Sequence, residues 1–319
     1  MNSHYCFQRF IPLFTVLLAA TALLLLCSCT ATQPAPTGQP QEPPFIFLYM
    51  SDTQSDPQTG DYSGLGHLVA RAAAHLDTNQ PRLLLLGGDA VNDGANADEW
   101  NDFWQAVGDS LDGFTIAAAA GNHDNKPLLT EQFTMPDTVP QRSDQGWFSS
   151  FTMSGIHFTI LDSNIMGAAN TEDVAWLEAD LSSAAAQKAD WRIAVSHHPF
   201  WPIANIPRDI ARAETMREFF LPIMETYSVD LLLVGHQHVY ARSLPMLGNE
   251  TAPEGIVQIM AASGDKTSYP PDNHPYLAMT AQAPNYVLLE ATSSALSLTA
   301  YDAAGNVIDV FTLTKNPEG

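Results

Sequence analysis

Apolar and polar positions follow two rhythms along this chain. Phe45–Met50, Leu83–Leu86, Thr115–Ala119, Ile193–Val195 and Asp230–Val234 are continuous apolar or β-rich runs, as expected of strands buried on both faces. Between them Leu65, Leu68, Val69, Ala72 and Leu76 keep helical spacing. Val174, Leu177 and Leu181 do the same, with Thr171 as a cap and Glu172 and Asp173 in the first turn. Ile210, Met216, Phe220 and Ile223 predict a further helix that Pro222 kinks or breaks. This alternation predicts a layered α/β domain. Beyond Gly255 the rhythm changes. Ile256–Ala261, Tyr286–Ala291, Leu296–Tyr301 and Val307–Leu313 read as strands, the last two joined at Gly305-Asn306, and predict a second, antiparallel-leaning sheet.

The first 29 residues read as an address. Ile11 to Leu26 is an almost unbroken apolar run behind Arg9, the shape of a secretory segment. Its end, Leu26-Cys27-Ser28-Cys29, resembles the bacterial lipobox, which would make Cys29 the lipidated first residue of a mature lipoprotein. Simple cleavage and an uncleaved anchor are the alternatives, and all three export the chain from the cytoplasm. Residues 30–44 are Pro-rich and read as a tether, leaving 45–319 as the catalytic domain. The anchor would place the protein on a membrane facing the periplasm or cell surface.

Charge and cysteine usage narrow the chemistry. Thirty-five acidic against 13 basic residues give a formal charge of −22 over 319 residues. Such a surface repels nucleic acid and anionic headgroups, so no nucleic-acid partner is expected. All three cysteines lie within the first 29 residues, so the body has no thiol nucleophile and no cysteine zinc site.

Five polar clusters directly follow predicted strands, the edge where ligands bind in α/β sheets. They are Asp52-Thr53-Gln54, Gly88-Asp89, Gly121-Asn122-His123-Asp124, Ser196-His197-His198-Pro199 and Gly235-His236-Gln237-His238. Their oxygen and imidazole donors suit Mn, Fe or Zn. Residues two apart in extended chain point the same way, so Asp52 with Gln54, and His236 with His238, can each offer paired donors. The donors outnumber the needs of one ion; two divalent ions sharing a carboxylate would use them all.

The order Gly-Asn-His-Asp, His-x-Pro, Gly-His-x-His resembles the calcineurin-like metallophosphoesterase superfamily, in the branch similar to the purple acid phosphatase catalytic domain. The likeness runs from about Phe45 to the C-terminus and includes the Gly155–Ser163 strand and the Val307-Ile308-Asp309 hairpin. It implies a four-layer αββα sandwich of two mixed β-sheets flanked by helices. It also implies that Asp52, Gln54 and His238 hold one metal, that Asn122, His197 and His236 hold the other, and that Asp89 bridges. A metal-bound hydroxide would attack phosphorus, with His123 protonating the leaving group and Asp124 orienting its imidazole. Substrate contacts are expected from His198 and Tyr240, with Phe200, Trp201 and the Tyr269–Tyr276 segment as rim candidates.

Two departures qualify the likeness. Gln54 stands where many members have His; its carbonyl can coordinate, or the side chain can stand behind the ligands. Asn92 stands where purple acid phosphatases place a tyrosine, so no stabilised ferric ion or purple colour is expected. No Arg follows Asp89 closely, which weakens a protein phosphatase reading. The expected function is phosphomonoester hydrolysis on a small substrate, with a phosphodiesterase and a non-catalytic, metal-stabilised surface lipoprotein as the rivals. The oligomeric state is left open.

Overall fold

In the computed structural model, residues 43–133, 141–143, 146–164, 171–282 and 284–315 are described. The segment 1–42, including Cys29, lies outside them. The chain runs β1 (Phe45–Met50), α1 (Ser63–Ala73), β2 (Arg82–Leu86), α2 (Ala97–Leu111), β3 (Phe114–Ala118) and α3 (Lys126–Gln132). There follow β4 (Gln141–Ser143), β5 (Gly146–Met153), β6 (Ile156–Leu161), α4 (Thr171–Leu181), α5 (Ala184–Lys188), β7 (Trp191–Ser196), α6 (Pro207–Phe219) and α7 (Leu221–Thr226). The remainder is β8 (Leu231–Val234), β9 (Tyr240–Ser243), β10 (Met246–Leu247), β11 (Glu250–Thr251), β12 (Val257–Met260), β13 (Leu277–Ala281), β14 (Asn285–Ala291), β15 (Ala295–Asp302) and β16 (Val307–Thr314).

Two mixed sheets result. The first has order β16-β15-β14-β1-β2-β3 and the second β13-β9-β12-β8-β7-β6-β5-β4; β10 and β11 pair by themselves. Strands β1, β2 and β3 are parallel, as are β6, β7, β8 and β12. Strand period 2 then sorts the side chains. Phe47, Tyr49, Leu83 and Leu85 of the first sheet share one core with Phe158, Ile160, Ile193, Val195, Leu231 and Ile259 of the second. The alternate residues Leu48, Met50, Leu84 and Leu86 face Leu65, Leu68 and Val69 of α1 and Trp100, Phe103 and Val107 of α2. Leu161, Leu232 and Val234 likewise meet Leu177, Leu181, Met216 and Met224 of α4, α6 and α7. This is the expected four-layer αββα arrangement. Helix α6 ends at Phe219 and α7 restarts with Pro222 in its first turn, the break that Pro222 predicts.

One expectation is corrected. The C-terminal strands do not build a separate sheet. β14 pairs antiparallel with β1, so β14–β16 extend the first sheet, whereas β12 joins the second, parallel to β8. The antiparallel character was legible in the hydropathy; the partner was not, because β1 offers an open edge opposite β2 that only the fold reveals.

Phe158 is fully buried at the sheet–sheet interface, edge-on to Phe47 at 5.5 Å and stacked on Phe151 at 4.8 Å between centroids. Phe158→Ala should lower unfolding free energy by about 3–5 kcal/mol in denaturant titration, since both sheets close rigidly around the lost ring.

Candidate metal centre

Every polar cluster lies at the carboxyl end of a strand. Asp52 and Gln54 follow β1, Asp89 follows β2, and Asn122 and His123 follow β3. From the second sheet, His197 follows β7, and His236 and His238 follow β8. The two carboxyl edges meet, and backbone bonds lock the loops: Asp52 N–H to Gly88 O (2.9 Å), Gly235 N–H to His197 O (2.9 Å) and Ser263 N–H to Ser51 O (2.8 Å).

Donor atoms gather into two buried groups. Asp52, Asp89 and His238 place ligand atoms within 4.8 Å of one another, and His197, His198 and His236 do the same. Asn122 Oδ1 joins the second group, 3.3 Å from His197 Nε2. Asp89 touches both sides, its Oδ2 lying 3.4 Å from Gln54 Nε2 and from His197 Nε2.

The hydrogen bonds leave unmet donors aimed inward. Asp52 Oδ2 accepts from Ser51 Oγ and His236 N–H (both 2.8 Å), whereas buried Asp52 Oδ1 accepts no hydrogen bond. Gln54 Oε1 is also buried and unpartnered. Two orphaned oxygens are costly in a dry site; coordination to a cation satisfies both. Each imidazole is likewise anchored through one nitrogen. His197 Nδ1 meets Gly87 O (2.8 Å), His238 Nδ1 meets Thr267 O (2.8 Å), and His236 Nε2 meets Asp209 Oδ1 (3.1 Å). Those acceptors take the N–H, and the opposite nitrogen keeps its lone pair for a metal. The residues fit a dinuclear divalent centre of unspecified metal identity.

Backbone strain marks the same residues. Asp52, Asp89, His236 and His238 all have positive φ, between 50° and 75°. Such residues cost of order 1–3 kcal/mol each and persist where surrounding bonds over-determine them. Gly121 is required by contact: a Cβ there would lie 2.1 Å from Asp89 Oδ1.

Charge follows from proximity. Burial opposes charging of His197, but the Asp89 carboxylate outweighs it and raises His197 to about 9. Asp89 is buried too, yet His197 holds it well below the usual carboxylate range. Burial pushes His236 down. Burial opposes charging of His238 too, but the Asp52 carboxylate, with Oδ1 3.4 Å from Nε2, outweighs it and pushes the ring up.

Several expected roles change. Asp124 does not orient the His123 ring. Its carboxylate accepts main-chain N–H bonds from Asp89 (2.7 Å), Ala90 (3.0 Å) and Gly121 (2.8 Å), and burial with the nearby Asp89 charge raises it to about 6. His123 is held instead by the Asn92 carbonyl, 2.6 Å from Nδ1, and by Lys266 Nζ, 2.9 Å from Nε2. Tyr240 is fully buried and donates to Asp309 at 2.8 Å, so it is a core residue and not a substrate contact. Phe200 and Trp201 are core as well. His198, expected as a substrate contact, is buried, with Ser163 Oγ 2.8 Å from Nδ1 and the Arg212 guanidinium against both ring nitrogens. That cation argues against a metal on His198, and burial, then His197 and His236, push its pKa well down. Tyr269 does reach the site, 5.5 Å from the His238 ring. Asp209, Thr267 and Lys266 escaped the sequence reading; an acidic residue in the first turn of a helix reads only as a dipole partner.

In the metal-free protein the His197 proton must leave before Nε2 can ligate. Below the raised value of about 9 binding therefore releases that proton. Affinity for Mn or Zn should rise with pH, approaching tenfold per unit from this group alone, and flatten above about 9. Titration in weak buffer should detect the released proton. The same group stabilises the metal-free fold below about 6.5, and that contribution is lost as pH rises through about 9.

Comparison with known proteins gives relatives in sequence and in fold. The chain is 26% identical over 232 residues to purple acid phosphatase 15 of Arabidopsis thaliana, covering 63% of this chain and 43% of that protein. It thus spans less than half the length of that relative. A purple acid phosphatase from yellow lupin (Lupinus luteus) seeds superposes with TM-score 0.69 at 18% identity, over 86% of this chain and 54% of the other. GAP50, described as the anchor in the inner membrane complex of Plasmodium, superposes with TM-score 0.66 at 15% identity, over 87% and 91%. The sequence pattern of the calcineurin-like phosphoesterases matches residues 45–240, and the chain belongs to that family.

Proposed function

We propose that this protein is an exported, metal-dependent phosphomonoesterase. The carrying observation is the pair of orphaned, buried oxygens on Asp52 and Gln54, set among anchored imidazoles at the meeting edge of two sheets. When bound, two divalent ions supply Lewis acidity toward phosphoryl oxygens and an activated water. The chain's own contribution is charge and position. Asp52 and Asp89 cancel half of the four positive charges, and the remainder is a local attraction for a phosphate dianion within a chain of −22. Carbonyl and carboxylate partners anchor the imidazoles, so little reorganisation accompanies binding. His123 stands beside Asn122, its amide N–H donating to Asp89 Oδ1 at 2.8 Å and its ring fixed by Asn92. That location serves hydrogen bonding and protonation at the leaving oxygen.

Hydrolysis of nitrophenyl phosphate against bis(nitrophenyl) phosphate tests the monoester reading; the monoester should give the larger kcat/KM. Asp89→Asn should lose both metal and activity. His123→Ala should keep the metal and lose on the order of a hundredfold in kcat on esters with poor leaving groups. Unchanged turnover there would remove His123 from the mechanism.

Export rests on the Ile11–Leu26 run and on Cys29. Wild-type protein should partition with membranes and incorporate labelled fatty acid, and Cys29→Ser should abolish the label.

A further inference from the structure

Lys266 is a half-buried ammonium with no carboxylate within ion-pairing distance among the described residues; its side chain meets His123 Nε2 at 2.9 Å. In a chain with 35 acidic and 13 basic residues, an unpaired lysine beside a metal centre calls for an explanation. The imidazole does not supply it. An imidazole nitrogen returns no negative charge, so it is a weak partner for an ammonium already withdrawn from water.

The backbone holds this cation in place. Gly264 N–H bonds Asp52 O (2.9 Å) and Asp265 N–H bonds Gln54 O (3.0 Å), so the segment lies along the first ligand loop. Gly264 permits that approach, since a Cβ would stand 2.1 Å from Gln54 O. On the far side Thr267 O anchors His238, and Tyr269 N–H bonds Gln237 O at 3.2 Å. Lys266 is therefore pinned between two ligand loops.

Neighbouring acids do not neutralise it. Asp265 turns toward Gly64 of α1, where burial and then the charges of Asp61 and Asp56 push its carboxyl up. Asp272 accepts Asn205 N–H at 2.7 Å. Asp89, Asp52 and Glu99 act on Lys266 only through space, and in the metal-loaded protein the first two are compensated by the ions.

We infer that Lys266 is a specificity-determining residue that selects phosphomonoesters whose alcohol carries a carboxylate on the carbon bonded to the ester oxygen. This rests on the phosphomonoesterase reading and on His123 facing the leaving oxygen. An ammonium about 3 Å from that imidazole is within reach of an anion one carbon farther along the alcohol. The acidic surroundings then act as a filter: one short anion meets Lys266, and a longer polyanion meets Asp265, Asp61 and Asp56.

Equilibrium binding tests this without turnover. Phosphonopropionate carries the carboxylate at the required position; propylphosphonate has a methyl group instead. Calorimetry on the full, metal-loaded chain should show phosphonopropionate binding about tenfold or more tightly. Lys266→Met should bring the ratio of the two affinities to about one, and Lys266→Arg should restore most of it. A ratio unchanged in Lys266→Met would overturn the inference and leave the phosphomonoesterase reading standing. A fall in both affinities at constant ratio would likewise overturn it and make Lys266 only a brace for His123. Failure of wild-type protein to bind either phosphonate would overturn both.

Discussion

The site depends on one carboxylate that touches no ligand lone pair. Asp124 accepts three main-chain N–H groups, from Asp89, Ala90 and Gly121, and thereby ties the end of β2 to the end of β3. A neutral acceptor of the same size could not take three such bonds with equal strength, because charge assistance roughly doubles each. The cost is visible in the raised Asp124 pKa. With this knot tied, Asp89 is held in left-handed backbone and its side chain faces both metal groups. Asn164 reinforces the knot from the second sheet, its amide donating to Ala120 O and Gly121 O.

Strain and unmet polarity coincide here. Four of the candidate ligands sit at positive φ, and two of their neighbourhood's buried oxygens lack partners. Elsewhere positive φ among non-glycine residues is confined to Ser154 and Ser228 among the described residues, and Ser154-Gly155 is the turn between β5 and β6. The backbone strain is concentrated where a cation would bind, as expected of a preorganised centre.

Much of this was legible in the chain. Runs such as Phe45–Met50 announce β1 because a strand buried on both faces must be apolar throughout. The polar clusters after such runs locate the ligands, and their order carried the family likeness. Helix α2 was less legible: its buried stripe is only Trp100, Phe103, Val107 and Leu111 among fifteen residues, seven of them polar. Tyr240 and Trp201 were misread because position near a motif says nothing about which way a side chain turns. Asp209 and Lys266 come from segments far from the motifs, and only tertiary packing brings them to His236 and His123.

The split origin of the donors has a mechanical consequence. Asp52, Asp89 and Asn122 hang from one sheet, and His197, His236 and His238 from the other. Ions held across that seam would act as rivets: sliding one slab over its fellow would break every bond to both. Occupancy and sheet registry are then a single thermodynamic variable, and slackening anywhere along the shared apolar interior is felt as a loosened grip on metal.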